Sequence, residues 1–146
     1  MSSLQEWQDQ IVVRLKTIPG TGVYDGGVPD YVDLPRQDGL LKPYLVVWWG
    51  GKLPAGFGYA GICGVRGHSK RVPFIVQCVG PTGAIARSVA NRVRDLLEGY
   101  EPAGQGELSE DGNPNPRTPI DPSGVPVRYA IPLSFSGIVD NNLVNT

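Results

Sequence analysis

Few side chains in this sequence can make or break bonds, and their spacing limits what they could do. Cys63 and Cys78 are the two thiols, and His68 is the single imidazole. Any Cys–His or Ser–His–Asp scheme must therefore use His68. Cys63 and His68 could open a metal site, but zinc takes three or four ligands, and with two cysteines and one histidine in all only carboxylates could complete the set. An exposed loop histidine is the simpler reading. Gly56, Gly58 and Gly61 spell G-x-G-x-x-G, which cradles a pyrophosphate only where a strand hands over to a helix N-terminus. Gly64 and Gly67 follow instead of a helix, so the pattern reads as a glycine-rich loop. Asp111, Asn113 and Asn115 imitate the first half of an EF-hand loop, but Pro114, Pro116 and the missing Glu at the twelfth position remove the likeness. Glu107, Glu110 and Asp111 read as a solvated strand end. The positive charge of Arg87, Arg92 and Arg94 is offset by Asp95 and Glu98. No catalytic, cofactor-binding or metal-binding constellation emerges.

The elements that would position these residues centre on Arg71 to Tyr100. In RVPFIVQCV, Val72, Phe74, Val76 and Cys78 alternate onto one face, with Ile75 and Val79 on the other, so both faces should be at least partly covered. Gly80-Pro81 breaks this strand, and Thr82 can cap a helix. Ile85, Val89, Val93, Leu96, Leu97 and Tyr100 recur at helical spacing, with Arg87, Asn91, Arg94 and Glu98 on the opposite face. Gly99 and Pro102 end it. Upstream, Ser3 and Glu6 fit a capping box before a stripe of Leu4, Trp7, Ile11, Leu15 and Ile18. Val23-Tyr24 predicts a short strand, and residues 25–40 carry too much Asp, Gly and Pro for regular structure. YLVVWW at 44–49 predicts a buried strand whose two tryptophans point to opposite faces, one to the core and one to a contact surface. A short strand follows at 107–110. Val127 to Phe135 alternates cleanly, and Pro132 places that strand at an edge or a bulge.

The expected fold is α+β, a mostly antiparallel sheet of about four to five strands covered by two helices. It forms one domain over 1–137, with a tail at 138–146. The net charge of -1, with 18% charged residues, gives no basic field for nucleic acid. Tyr44–Trp49, the longest apolar run, is too short to cross a bilayer, and no signal peptide leads the chain. A soluble protein made inside the cell is expected. Two loops stand out, a glycine-rich one at 50–68 and a proline-rich one at 112–124. Long loops on a small core favour a protein whose work is contact. Lys52, Phe57, Tyr59, Arg66 and His68 are the contact side chains of the first loop, and Leu143 and Val144 are further candidates in the tail.

Several stretches together carry a resemblance: VYDGGVPD at 23–30, LKPYLVVWWGG at 41–51, CGVRG at 63–67, VPFIVQCVG at 72–80, ARSVANRVRDLLEGYEP at 86–102 and RYAIPLSFSG at 128–137. Over residues 4–137 the chain resembles the tail terminator (tail completion) proteins of long-tailed bacteriophages, particularly those infecting actinobacteria. The resemblance implies an α+β protein forming a homohexameric ring on the tail tube. That ring would stop polymerisation of the major tail tube protein and face the head–tail connector and neck proteins. It would reside in the virion tail or neck after assembly in the bacterial host cytoplasm. No cofactor, membrane or sequence-specific nucleic acid is implied, and the family has no active-site residues to transfer. A head-side neck or head completion (connector) ring protein is the alternative, with a small enzyme using Cys78 or His68 more distant.

Overall fold

The structure, a computed structural model, describes residues 3–27, 36–37, 40–51, 53–54, 69–111 and 128–140. In chain order these form α1 (Leu4–Leu15), β1 (Gly22–Asp25), β2 (Arg36–Gln37), β3 (Leu40–Leu41), β4 (Tyr44–Trp49), β5 (Leu53–Pro54), β6 (Ser69–Gly80), α2 (Gly83–Leu97), β7 (Leu108–Glu110) and β8 (Tyr129–Asp140), with a 3-10 turn at Pro102–Gly104. The main sheet runs β1-β4-β6-β8-β7, and β5 lies beside β6. Only β1–β4 is parallel; the other pairs are antiparallel. The fold is α+β, with two helices on a mixed sheet.

Both helices start as their sequences dictate. Ser3 Oγ accepts the Glu6 N–H at 3.0 Å, and Thr82 Oγ1 accepts that of Ile85 at 3.1 Å. Each such cap contributes about 1 kcal/mol. Trp7, Ile11, Leu15 and Ile18 are buried, although α1 itself stops at Leu15. The chain then tightens, with the Ile18 N–H on the Leu15 carbonyl, and turns through Gly20 at φ +67°. On α2 the buried stripe is Ala86, Val89, Ala90, Val93 and Leu97, while Ile85, Leu96 and Tyr100 are only partly covered. The two alanines let the helix lie close to the sheet, so its axis is rotated from the stripe of large residues. Arg94 consequently leaves the solvent face assigned to it and reaches β7, where its Nε donates to Glu110 Oε1 at 2.9 Å.

Val72, Phe74, Val76 and Cys78 of β6 face the helices, beside Leu45 and Val47 of β4 and Leu133 and Phe135 of β8. Trp7 enters this core at the sheet surface, 6.0 Å from Phe74 edge-on and 6.2 Å from Trp49. A glycine makes room for it. A Cβ on Gly137 would lie 2.6 Å from Trp7 Cζ2 and 2.7 Å from Leu108 Cδ2.

Three local expectations change, and that for Pro132 holds. β8 continues to Asp140, and Val139 is buried opposite Lys70, so residues 138–140 belong to the strand rather than to a tail. The reason is that β6 starts earlier, at Ser69, and supplies a partner for them. Residues 36–37 and 40–41 pair inside the stretch expected to be irregular. Leu53–Pro54 pairs with Lys70 and Arg71 inside the glycine-rich stretch. Pro132 lies in a strand flanked on both sides, yet on its unflanked half. The Ser134 and Ile138 carbonyls accept from Asp111 and Gly106, so the even-numbered residues of β8 turn their backbone toward β7. Pro132 falls three residues beyond Phe135, the partner of the last β7 residue, where a missing N–H deprives no described partner.

Candidate assembly surface

The second face of the sheet carries the outward residues of β4, β6 and β8. At one end it is closed by Leu41, Tyr44, Val46 and Val79, with Tyr24 and Ala130 packed on them. Further along it opens. Trp48 and Ile75 are opposite one another in register, 44% and 41% exposed. Ile138 is 38% exposed opposite Arg71, with half-buried Pro73 between Ile75 and Arg71 along β6. Scattered apolar residues on a surface need no explanation, but a cross-strand Trp–Ile pair is one contiguous patch. Arg71 rims it, pairing with Asp111 at 3.5 Å, and Asp111 also accepts the Ser136 hydroxyl at 2.9 Å.

The tryptophans divide as their alternation predicts. Trp49 faces inward, packs on Phe74 at 5.1 Å and donates its indole N–H to Asp25 Oδ1 at 2.6 Å. Trp48 faces solvent. The expectation that both faces of β6 are at least partly covered holds, with Val79 buried and Ile75 only partly covered. Alternation located Ile75 correctly; which part of that face the β2–β3 segment covers depends on tertiary placement of Leu41. Ile138 escapes the sequence reading because it falls in the stretch 138–146 expected to be a tail.

Lys52, Phe57, Tyr59, Arg66, His68, Leu143 and Val144 lie outside the described residues, as do Cys63, the G-x-G-x-x-G glycines, Asn113 and Asn115. What the structure does show is where the 50–68 excursion is anchored. The Gly50 N–H donates to the Pro73 carbonyl at 2.8 Å, in the gap between β4 and β5. A Cβ on Gly50 would lie 2.8 Å from Pro73 Cγ. The excursion thus leaves from the strand end next to Trp48.

Cys78 is buried under α2, and burial pushes its thiol up from 9.0 to about 12; Arg94 nearby lowers it and Glu110 raises it. A buried thiol whose charged form is disfavoured is poorly placed to act as a nucleophile, which counts against a role for Cys78 in the enzyme alternative. It also makes stability depend on pH. The folded state holds this proton more tightly than the unfolded chain, so the contribution is complete below pH 9.0 and is lost as pH rises toward about 12. Denaturant melts from pH 8 to 11 should show Cys78→Ala losing less stability with pH than the parent chain. Equal slopes would place the thiol in a more polar setting. Among the described residues no group of three or more metal-ligating side chains occurs, and no helix is long and apolar enough to cross a membrane.

No protein-family model matches the chain, and no characterised protein matches it by sequence. Its fold does match solved structures. A chain from the virion of a native gene transfer agent particle superposes with a TM-score of 0.52 at 18% identity, over 91% of this chain and 93% of its own length. A second solved chain overlaps at a TM-score of 0.49 and 14% identity, over 93% of this chain and 92% of its own. The first match shows a shared fold across nearly the whole of both chains.

Proposed function

We propose that this chain is a structural protein of a phage-like virion and acts as a tail terminator. In this reading six copies close into a ring on the end of the tail tube, stop its polymerisation and join the tail to the head or neck. The observation that carries it is the open Trp48–Ile75 patch, on a fold shared with a gene transfer agent virion chain. A surface of this kind suits protein contact, since apolar aromatic residues with an arginine rim are what buried interface centres use. The partners are further copies of the chain, the major tail tube protein and the head–tail connector proteins, with assembly in the bacterial cytoplasm. A ring of identical chains needs a heterologous contact that closes. The excursion at 50–68 supplies part of it through Lys52, Phe57, Tyr59, Arg66 and His68, with Leu143 and Val144 contributing beside it.

Electron microscopy of assembled particles with this chain located tests the reading. Six copies at the head-proximal end of the tail are expected. Density on the head side of the neck would assign the head-completion role instead, and any symmetry incompatible with six would overturn the ring. Replacing residues 55–66 by a short Gly-Ser linker, which keeps the Leu53–Pro54 pairing with β6, or Trp48 by Ser, should leave cooperative melting within about 1 kcal/mol of the parent, as surface changes do. Both variants should yield uncapped tubes of irregular length or tails without heads. Normal infectious particles from both would move the contact surface elsewhere.

A further inference from the structure

The sheet has four stretches of edge among the described residues, and they differ; β5 is the briefest, two residues ending in Pro54, which has no N–H to offer. The β7 edge is occupied by the chain itself: the Leu108 carbonyl accepts the Gly99 N–H at 2.9 Å, and the Leu108 N–H reaches the Tyr100 carbonyl at 2.8 Å. The Glu110 N–H there is capped by Glu98 Oε2 at 3.0 Å. The half of β8 beyond β7 carries Pro132, which has no N–H to offer an added strand. The β1 edge has neither device. The Gly22 N–H bonds the Pro43 carbonyl at 3.2 Å and the Gly26 N–H bonds the Val47 carbonyl at 2.8 Å. In this parallel ladder the even-numbered residues therefore turn toward β4, and Val23 and Asp25 turn their backbone groups outward.

We propose that the outward edge of β1 is a strand-addition site, filled in the assembled ring by an extended segment of the neighbouring copy. The chemistry selects the occupant. Two N–H groups and two carbonyls spaced about 6.7 Å apart along an edge match an extended polypeptide backbone and little else. Natural sheets blunt edges they do not use; among the described residues the β7, β8 and β5 edges are blunted and that of β1 is left. The proposal rests on the ring reading, because a closing contact is heterologous, and the donor is then a segment other than the neighbour's own β1.

Amide hydrogen exchange on assembled tails and on the free chain tests it without a variant. The Val23 and Asp25 amides should slow by at least about tenfold on assembly, while Tyr24, already bonded to β4, changes little. Cross-linking of mixed isotope-labelled and unlabelled copies should join β1 to a different segment of another copy. Val23→Pro deletes one outward donor and keeps the bonds to β4, so it should fold and fail to close rings. A six-membered ring with unslowed amides overturns the edge site while leaving the function intact. So do β1-to-β1 links, or links only to a different protein. Absence of any ring overturns the function and this site together.

Discussion

A Val93→Asp chain should be unfolded in buffer at room temperature. Val93 is fully buried at the middle of α2, against the sheet. A carboxylate there has no partner, since the adjacent Arg94 is committed to Glu110. Burying an unpaired charge, or paying to keep it protonated, costs several kcal/mol, against a total stability of about 5–15 kcal/mol for a domain. Leu96→Asp is the control. Leu96 is only partly covered, so its carboxylate can reach water and the variant should fold with a lowered denaturant midpoint. Circular dichroism during denaturant titration reads both. A parent-like midpoint for Val93→Asp would mean that α2 docks through another face.

Gly137→Val should be nearly as damaging, for the opposite reason. The first added carbon already falls 2.6 Å from Trp7 Cζ2 and 2.7 Å from Leu108 Cδ2, and both of those residues are fully buried. Overpacking typically costs about 1–3 kcal/mol, and here it must also lift an indole off the sheet and disturb its contacts with Trp49 and Phe74. Gly137→Ala should show part of the loss. In a Trp7→Ala background the Gly137→Ala penalty should shrink, because the clashing ring has gone. Denaturant melts of the four chains give the coupling directly. An unchanged penalty would mean that Leu108, or the backbone of β8, sets the limit.

Both predictions draw on features that the sequence shows unevenly. Val93 was legible as core because helical and strand periodicity are local properties that survive in the chain. The same holds for Trp7, the caps at Ser3 and Thr82, the opposed tryptophans and the two-layer α+β plan. Gly137 was not legible, since its role is set by an indole that arrives from residue 7. Arg94 was misplaced because its partner is on β7, and the apolar face of α2 turned toward its alanines. Ile75 needed knowledge of where Leu41 comes to rest. The contact residues at 50–68 and in the tail were chosen for their types and for a loop setting, and they fall outside the described residues. The Trp48–Ile75 patch and the open β1 edge instead needed strand order and register, which periodicity does not supply.

The long β6–β8 ladder has a consequence for how the chain is made. Gly80 pairs with Tyr129 and Ser69 with Asp140, so the sheet's longest seam joins segments far apart in sequence. Such pairings form slowly, because the intervening chain must be closed before any contact rewards it. α2 lies inside that closure and can form early, whereas β7, whose strand pairs are all with β8, must wait for it. β8 is also the last of the described strands to leave the ribosome. Until it arrives, β6 shows a bare edge and α2 has only part of the surface it packs on. The nascent chain is then open to the wrong partner, including β6 of a second nascent chain. A fold finished late in this way should depend on chaperone protection during synthesis, and refolding from denaturant should give lower yields as protein concentration rises.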